Sequence, residues 1–436
     1  MLARLSSSRS LTRLFNIGLR LGTLGSKMVF TLYMARYFSL ADIGVYGLVF
    51  GVVMVMGGVV GMRIDYVVSR EIVGVDPASV LVKMRDQVVF YLLNYIVLAL
   101  LMILAQTIGI GIDSKIMIYI FIISVVEGLA SLSYANMNSL EQPIIANVMF
   151  FIRSGFWTFP VMILGFLYPS LRTFDVVFTG WIAGVTASLA ATVYVWRSMP
   201  WKAMFQTRVN WKWIRNSIKR CFLIWLGGLG IVAGYYVDRL VVVQFLGLEQ
   251  VGIATFYLSF TNALLTIIQS GILSMTYPRL IKFYREGNLS GFRQEIRQSL
   301  VNANGFAIGI AIVMGIVVPY IGTLFNRPEL VTERLTLWLM LFGVCIRANT
   351  DALYFILFAR HQDRAIWLGN LLFLLPALGG NLLLVPMLGL SGIGYSSILA
   401  ALCLVAWRLW YVLYPGNTIL HPAAGEAADI GNEELV

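Results

Sequence analysis

The sequence predicts an all-α polytopic membrane protein, with twelve transmembrane helices in two parallel-repeat six-helix lobes around a central cavity. Three observations predict it: the composition, the spacing of apolar runs, and a motif that recurs at a fixed offset. Of the 436 residues, 59% are hydrophobic and 12% charged, and the mean hydropathy is +0.82. An ordinary soluble domain is about 45–50% apolar and about 25% charged, so a large soluble enzyme is excluded. At roughly 20 apolar residues per span, the chain has room for about a dozen spans with short connections.

Hydropathy places the spans at 14–36, 42–64, 87–111, 115–138, 143–168, 174–196, 219–245, 250–276, 298–324, 335–359, 365–387 and 391–414. The first is interrupted by Arg20 and Lys27, and no small-residue cleavage site follows it. It therefore reads as an uncleaved span rather than a signal peptide. The acid-free start MLARLSSSRSLTR fits a short basic cytoplasmic tail, with a mitochondrial presequence as the alternative. With the N-terminus inside, 21 of the 32 Lys and Arg fall on inner segments, five on outer loops and six within spans. That excess sets the orientation, an even number of spans and two cytoplasmic termini. It also assigns the net charge of +11 to the membrane rather than to nucleic acid.

The longest inner connection, RSMPWKAMFQTRVNWKWIRNSIKR at 197–220, has seven positive charges and no acid, with Trp201, Trp211 and Trp213 interleaved. Such a segment suits the headgroup layer. The expected organisation is a first lobe at 1–196, a basic interfacial linker at 197–218, a second lobe at 219–414 and a polar, acidic, disordered tail at 415–436. Cys221, Cys345 and Cys403 are too scattered for a disulfide framework or thiolate site. His361 and His421 lie outside the apolar runs, so no metal or cofactor is expected.

Residues 37–46 read YFSLADIGVY and residues 245–254 read FLGLEQVGIA. At an offset of 208, Leu40 matches Leu248, Asp42 matches Gln250, Ile43 matches Val251, Gly44 matches Gly252 and Val45 matches Ile253. Each copy joins the first and second spans of a six-span half. Six is even, so both halves enter the membrane in the same sense, as in transporters built from parallel repeats.

The stretches ARYFSLADIGVYGLVFGVV and YYVDRLVVVQFLGLEQVGI, with the six-plus-six plan, resemble the polysaccharide transporter family. These are the Wzx-type oligosaccharide flippases of the multidrug/oligosaccharidyl-lipid/polysaccharide superfamily. The resemblance implies an undecaprenyl-pyrophosphate-linked glycan as cargo and the bacterial inner membrane as location. It also implies work alongside polysaccharide polymerase and export machinery. Related lipid II flippases have two further helices, and in them cations of the first two helices contact substrate. Arg20, Lys27 and Arg63 lie in comparable places.

A charge at mid-bilayer costs about 2.5–3.5 kcal/mol on insertion scales, so charged residues there face a cavity or a partner. In the first span Arg13, Asn16, Arg20, Thr23 and Lys27 follow alternating steps of three and four, which places them on one face. Arg20 and Lys27 stand ~10 Å apart along the axis. With Arg63 and Arg153 they make a candidate cationic cavity, against the bland reading of helix caps or snorkelling side chains. Glu127 is alone in the fourth span. It is read either as an ion-pair partner of Arg153 or of a first-span cation, or as a proton acceptor in transport. Asp238 and Arg239 are adjacent, so each is expected to find its partner elsewhere. Arg347 and Asp351 stand four apart and can neutralise each other. Arg239, Asn262, Gln269 and Arg347 are the candidate second-lobe cavity residues, and Asp238 and Asp351 join Glu127 as pairing or coupling candidates. Helix–helix hydrogen bonding is an equal reading of the polar stripe holding Asn262 and Gln269.

Surplus Arg and Lys suit a pyrophosphate cargo through charge-assisted hydrogen bonds. A multidrug antiporter of the same superfamily would need surplus carboxylates and aromatic faces instead. No phosphate-binding glycine loop and no nucleophile triad favour an ATP-driven pump or an enzyme. A scaffold for polysaccharide synthases is a further alternative. Single cysteines placed in 197–220 should react with impermeant maleimide only from the cytoplasmic side, and labelling from outside would overturn the orientation.

Overall fold

The computed structural model describes residues 9–109, 113–360 and 362–413. The tail at 415–436, the first eight residues, His361 and His421 lie outside them. No strand occurs among the described residues. The helices are α1 (Arg9–Tyr37), α2 (Leu40–Gly61), α3 (Ile64–Glu71), α4 (Pro77–Thr107), α5 (Ser114–Ser139), α6 (Pro143–Phe151), α7 (Thr158–Leu167) and α8 (Phe174–Val195). They continue as α9 (Ala203–Gln206), α10 (Trp211–Leu246), α11 (Leu248–Ile268), α12 (Ser274–Arg285) and α13 (Leu289–Leu324). The last four are α14 (Glu329–Thr332), α15 (Arg334–Ala359), α16 (Asp363–Leu388) and α17 (Ser391–Leu413). One wide π-turn, Ile152–Phe156, joins α6 to α7, and a second, Gln269–Leu273, joins α11 to α12.

Among the described residues, eleven segments are long and apolar enough to cross a membrane, and the protein is a multi-pass membrane protein. Twelve spans were expected. The first, α1, forms a 29-residue helix but does not reach that apolarity, because Arg13, Asn16, Arg20 and Lys27 lower its hydropathy. Several helices begin earlier than the apolar runs do, since local caps rather than hydrocarbon decide where a helix starts. Asp76 accepts from the Ser79 amide at 2.9 Å and Pro77 follows at the first helical position, so α4 starts ten residues before its expected span. The Ser79 amide also holds the Asp76 carboxyl below its ordinary pKa. Asn210 caps α10 through the Trp213 amide at 2.9 Å, and Ser39 forms a capping box with Asp42 at the start of α2.

By packing, the chain divides into two compact units, Met1–Phe256 and Tyr257–Val436. In the first unit, Ile64, Phe90, Tyr91, Tyr95 and Leu132 form one buried cluster, and Val68, Ile72, Val80, Met137 and Trp196 form another. In the second, Leu280, Phe292, Leu353 and Ile356 make the corresponding core.

The repeated motif has a structural role inside the first unit. A methyl group on Gly44 of α2 would collide with the carbonyl oxygen of Leu248, and one on Gly252 of α11 would collide with that of Leu40. Leu40 and Leu248, like Gly44 and Gly252, are equivalent positions of the repeat. The two copies therefore touch reciprocally, each glycine admitting the other's backbone. Such small-residue contacts let helices approach closely where no hydrophobic drive between helices exists.

Both copies also interrupt their second helix at the same place. The α2 helix ends at Gly61, and Met62 and Arg63 then take left-handed backbone conformations, with φ of 42° and 57°. Adding the offset of 208 to residues 61–65 gives 269–273, the span of the second π-turn. The freed carbonyls of α2 are recaptured by side chains: Asn94 donates to Val60 at 2.8 Å and the Trp225 indole to Gly58 at 2.9 Å. Around the π-turn, hydroxyls bond carbonyls four residues back, a local bond that Ser and Thr also make in unbroken helices. Ser270 donates to the Thr266 carbonyl at 2.7 Å and Thr276 to that of Ile272 at 3.2 Å.

Leucine at Gly44 should lower the apparent Tm of the detergent-solubilised protein by several degrees, because overpacking against backbone costs about 1–3 kcal/mol. The same residue at Gly57, where a Cβ meets nothing within 4 Å, should leave it unchanged. Equal Tm values for the two variants would show that the close crossing is dispensable.

Candidate functional site

The first unit gathers Lys27, Glu127, Arg153 and Trp181. Glu127 of α5 is 6% exposed. Its Oε2 accepts from Arg153 Nε, and its Oε1 accepts from the Trp181 indole of α8 at 2.6 Å. Arg153 sits in the first π-turn, Ile152–Phe156. Single π-turns of this kind recur at functional sites. The turn is seated on α1, because Gly155 has no side chain and lies against Ser26 and the Thr23 backbone.

The face of α1 divides in two. Thr23 and Ser26 are buried, and Asn16 accepts from Asn147 of α6 at 3.0 Å. Arg20 and Lys27 are exposed. Lys27 lies within electrostatic reach of Glu127 and Arg153 while its side chain is exposed.

Aromatic rings floor the constellation. Trp181 stacks on Trp157, with centroids 6.2 Å apart and planes at 4°. Phe30 meets Trp157 edge-on at 5.2 Å, and Phe50 packs near both Trp181 and Tyr236, at 5.9 and 6.0 Å. Tyr46 lies within electrostatic reach of both Glu127 and Arg239. The structure therefore brings Arg239 of α10 into the surroundings of Glu127. Sequence reasoning missed Trp157, Trp181 and Tyr46. The available signal was Trp157 in mid-span, away from the interfacial belt where membrane tryptophans concentrate.

The adjacent pair Asp238 and Arg239 departs from expectation. Partners were expected elsewhere, but Arg239 Nη1 stands 3.2 Å from Asp238 Oδ1, which also accepts the Arg239 amide at 2.7 Å. A guanidinium is long enough to fold back one residue, and both groups are buried where few other partners offer. Arg85 and Asp86 repeat this geometry at 2.6 Å. Arg63 stands apart, 49% exposed at its side chain and 3.9 Å from Asp65 beyond the break in α2.

In the second unit, Asn262, Thr266 and Gln269 form an exposed polar face on α11 and the π-turn. Gln269 donates to Asp351 of α15 at 2.8 Å. Arg347 stands one turn before Asp351 on α15 and is partly buried. Asn304 and Asn349 exchange amide hydrogen bonds at 2.8 and 2.9 Å beside an apolar groove of about 270 Å³ between α13 and α15.

This fold is that of a class of transport proteins. A multidrug-resistance MATE family transporter of the MOP superfamily, in an inward-facing conformation, superposes with a TM-score of 0.71 at 11% identity, over 91% of this chain and 96% of that one. The lipid II flippase MurJ, inward closed, gives 0.70 at 13%, over 92% and 87%. A MATE transporter in its straight conformation gives 0.59 at 12%, over 92% and 96%. At such identities the likeness concerns the fold. Residues 219–412 match the family described as polysaccharide biosynthesis protein. No curated protein matches the chain.

Removing one member of a buried ion pair costs about 3–5 kcal/mol, whereas replacing both with apolar residues costs far less. Arg153→Met should therefore lower the apparent Tm sharply, and Arg153→Met combined with Glu127→Leu should recover most of the loss. A double variant no better than the single one would show that the pair is not the unit of stability.

Proposed function

We propose that the protein is a flippase. It moves an undecaprenyl-pyrophosphate-linked oligosaccharide from the cytoplasmic to the outer leaflet of the bacterial inner membrane, for surface or exopolysaccharide assembly. Two six-helix lobes, 1–196 and 219–414, joined by the linker 197–218, work by alternating access with both termini in the cytoplasm. The observation that carries this reading is the pattern of exposed basic side chains on α1. Glu127 is already held by Arg153 and Trp181, while Lys27, within electrostatic reach of it, and Arg20, seven residues earlier on the same face, are exposed. A site whose carboxylate is occupied and whose ammonium and guanidinium groups are open receives an anion, and diphosphate oxygens suit both. The polysaccharide biosynthesis match over 219–412 supports a glycan, and the MurJ-like fold supports a lipid carrier. Helices interrupted at corresponding positions of a repeat are where transporters place their binding sites, and the interruptions at 61–63 and 269–273 bring Arg63 and Gln269 into the proposal. Arg153, Arg239, Asn262 and Arg347 are proposed to contact cargo with them. Glu127, Asp238 and Asp351 set the pairing state of those cations.

A second reading, cation-coupled drug antiport, is favoured by the stacked Trp157–Trp181 floor and the MATE-like fold, because ring faces attract organic cations. It requires a free carboxylate, and the site's own is engaged. Purified wild-type protein should bind undecaprenyl pyrophosphate saturably, more tightly with an attached oligosaccharide. Lys27→Ala should weaken binding about tenfold or more, the loss expected for a charged hydrogen bond. No binding, together with uptake of organic cations, would select the antiporter.

A further inference from the structure

The segment 197–215 is tied down on its inner side and unpaired on its outer one. Arg85 of α4 is buried and donates to the carbonyls of Met204 at 2.6 Å, Thr207, and Arg208 at 3.0 Å. Its neighbour Asp86 accepts from the Asn210 amide at 3.2 Å. Two of the three interleaved tryptophans turn inward. Trp201 donates to the Trp196 carbonyl at 3.0 Å, and Trp213 donates to Glu71 at 2.9 Å. A buried guanidinium that collects three backbone carbonyls from a connection is a costly device for a mere linker. Its effect is to hold the segment in one shape, with a fixed outer face.

That face is basic and apolar together. Lys202, Arg208, Lys212 and Arg215 are exposed, with Phe205 at 86% and Trp211 at 56% between them. Among the described residues, none of the seven cations from Arg197 to Arg220 lies within ion-pair distance of an acid. The face follows directly on α8, which ends at Val195, and runs into the spanning helix α10, so it lies beside the bilayer surface.

We propose that this face is a binding surface for anionic phospholipid headgroups. The cations take the phosphates while Phe205 and Trp211 enter the boundary between headgroups and acyl chains. Four to eight Lys and Arg next to a spanning helix are the recognised signature of such binding, at about 1 kcal/mol for each charge near the surface. Exposed aromatic groups among them add the apolar half that a soluble acidic partner would not use. The proposal does not depend on the cargo, since the probe below contains none.

The test uses full-length protein bearing an environment-sensitive fluorophore at Phe205→Cys, in a Cys403→Ser background. It is reconstituted in nanodiscs of phosphatidylcholine with increasing phosphatidylglycerol. Emission should shift to the blue as phosphatidylglycerol rises and return on adding salt. Lys202→Gln, Arg208→Gln, Lys212→Gln and Arg215→Gln should each raise the phosphatidylglycerol fraction at half-response about fivefold. All four change exposed side chains, and an unaltered gel-filtration profile would confirm folding. The same emission in neutral and anionic nanodiscs would overturn the proposal. So would a response that appears only after deleting 415–436, because the acids Glu426, Asp429, Glu433 and Glu434 would then be the occupant.

Discussion

A carboxylate in the middle of a membrane helix is the constraint around which the first unit is arranged. A carboxylate in hydrocarbon needs hydrogen-bond donors, and the structure supplies Glu127 with two, from Arg153 and Trp181. Meeting that need dictates other features. Arg153 meets it from the π-turn at Ile152–Phe156. The turn must sit close to α1, hence Gly155 against Thr23 and Ser26. Trp181 must be fixed in plane, hence its stacking on Trp157. Satisfying one carboxylate thus ties α5, α8 and the turn after α6 together, with Lys27 of α1 exposed within electrostatic reach.

The fold class was legible because hydropathy is a bulk property of long segments. Arg20 and Lys27 were legible because helical periodicity places them on one face and hydrocarbon makes them conspicuous. The pairing of Glu127 with Arg153 was one of three readings of the sequence, beside a first-span cation and a proton, and the contact between them is what the structure adds. The partner of Asp238 was misjudged for a geometric reason. The rule that neighbours on a helix diverge applies to Cβ directions, and a guanidinium several bonds further out can fold back. Trp181 and Tyr46 carried no such sign. An aromatic side chain in an apolar run looks like packing until its indole or hydroxyl is seen near a charge. The docked form of 197–215 was equally hidden, because what fixes it is Arg85, more than a hundred residues earlier in the chain.

The two interruptions of the repeat are separate evidence that the molecule is built to work rather than merely to be stable. A break in a spanning helix exposes carbonyls that lipid cannot satisfy, so it survives only where protein or water takes them over. The structure meets that requirement at the end of α2 with an amide and an indole from other helices, while beside the π-turn after α11 local hydroxyls bond carbonyls four residues back. The neighbours of the two breaks are also unequal, Arg63 with Asp65 at one and Gln269 with Asp351 at the other. A repeated backbone thus carries unlike chemistry at its two corresponding breaks.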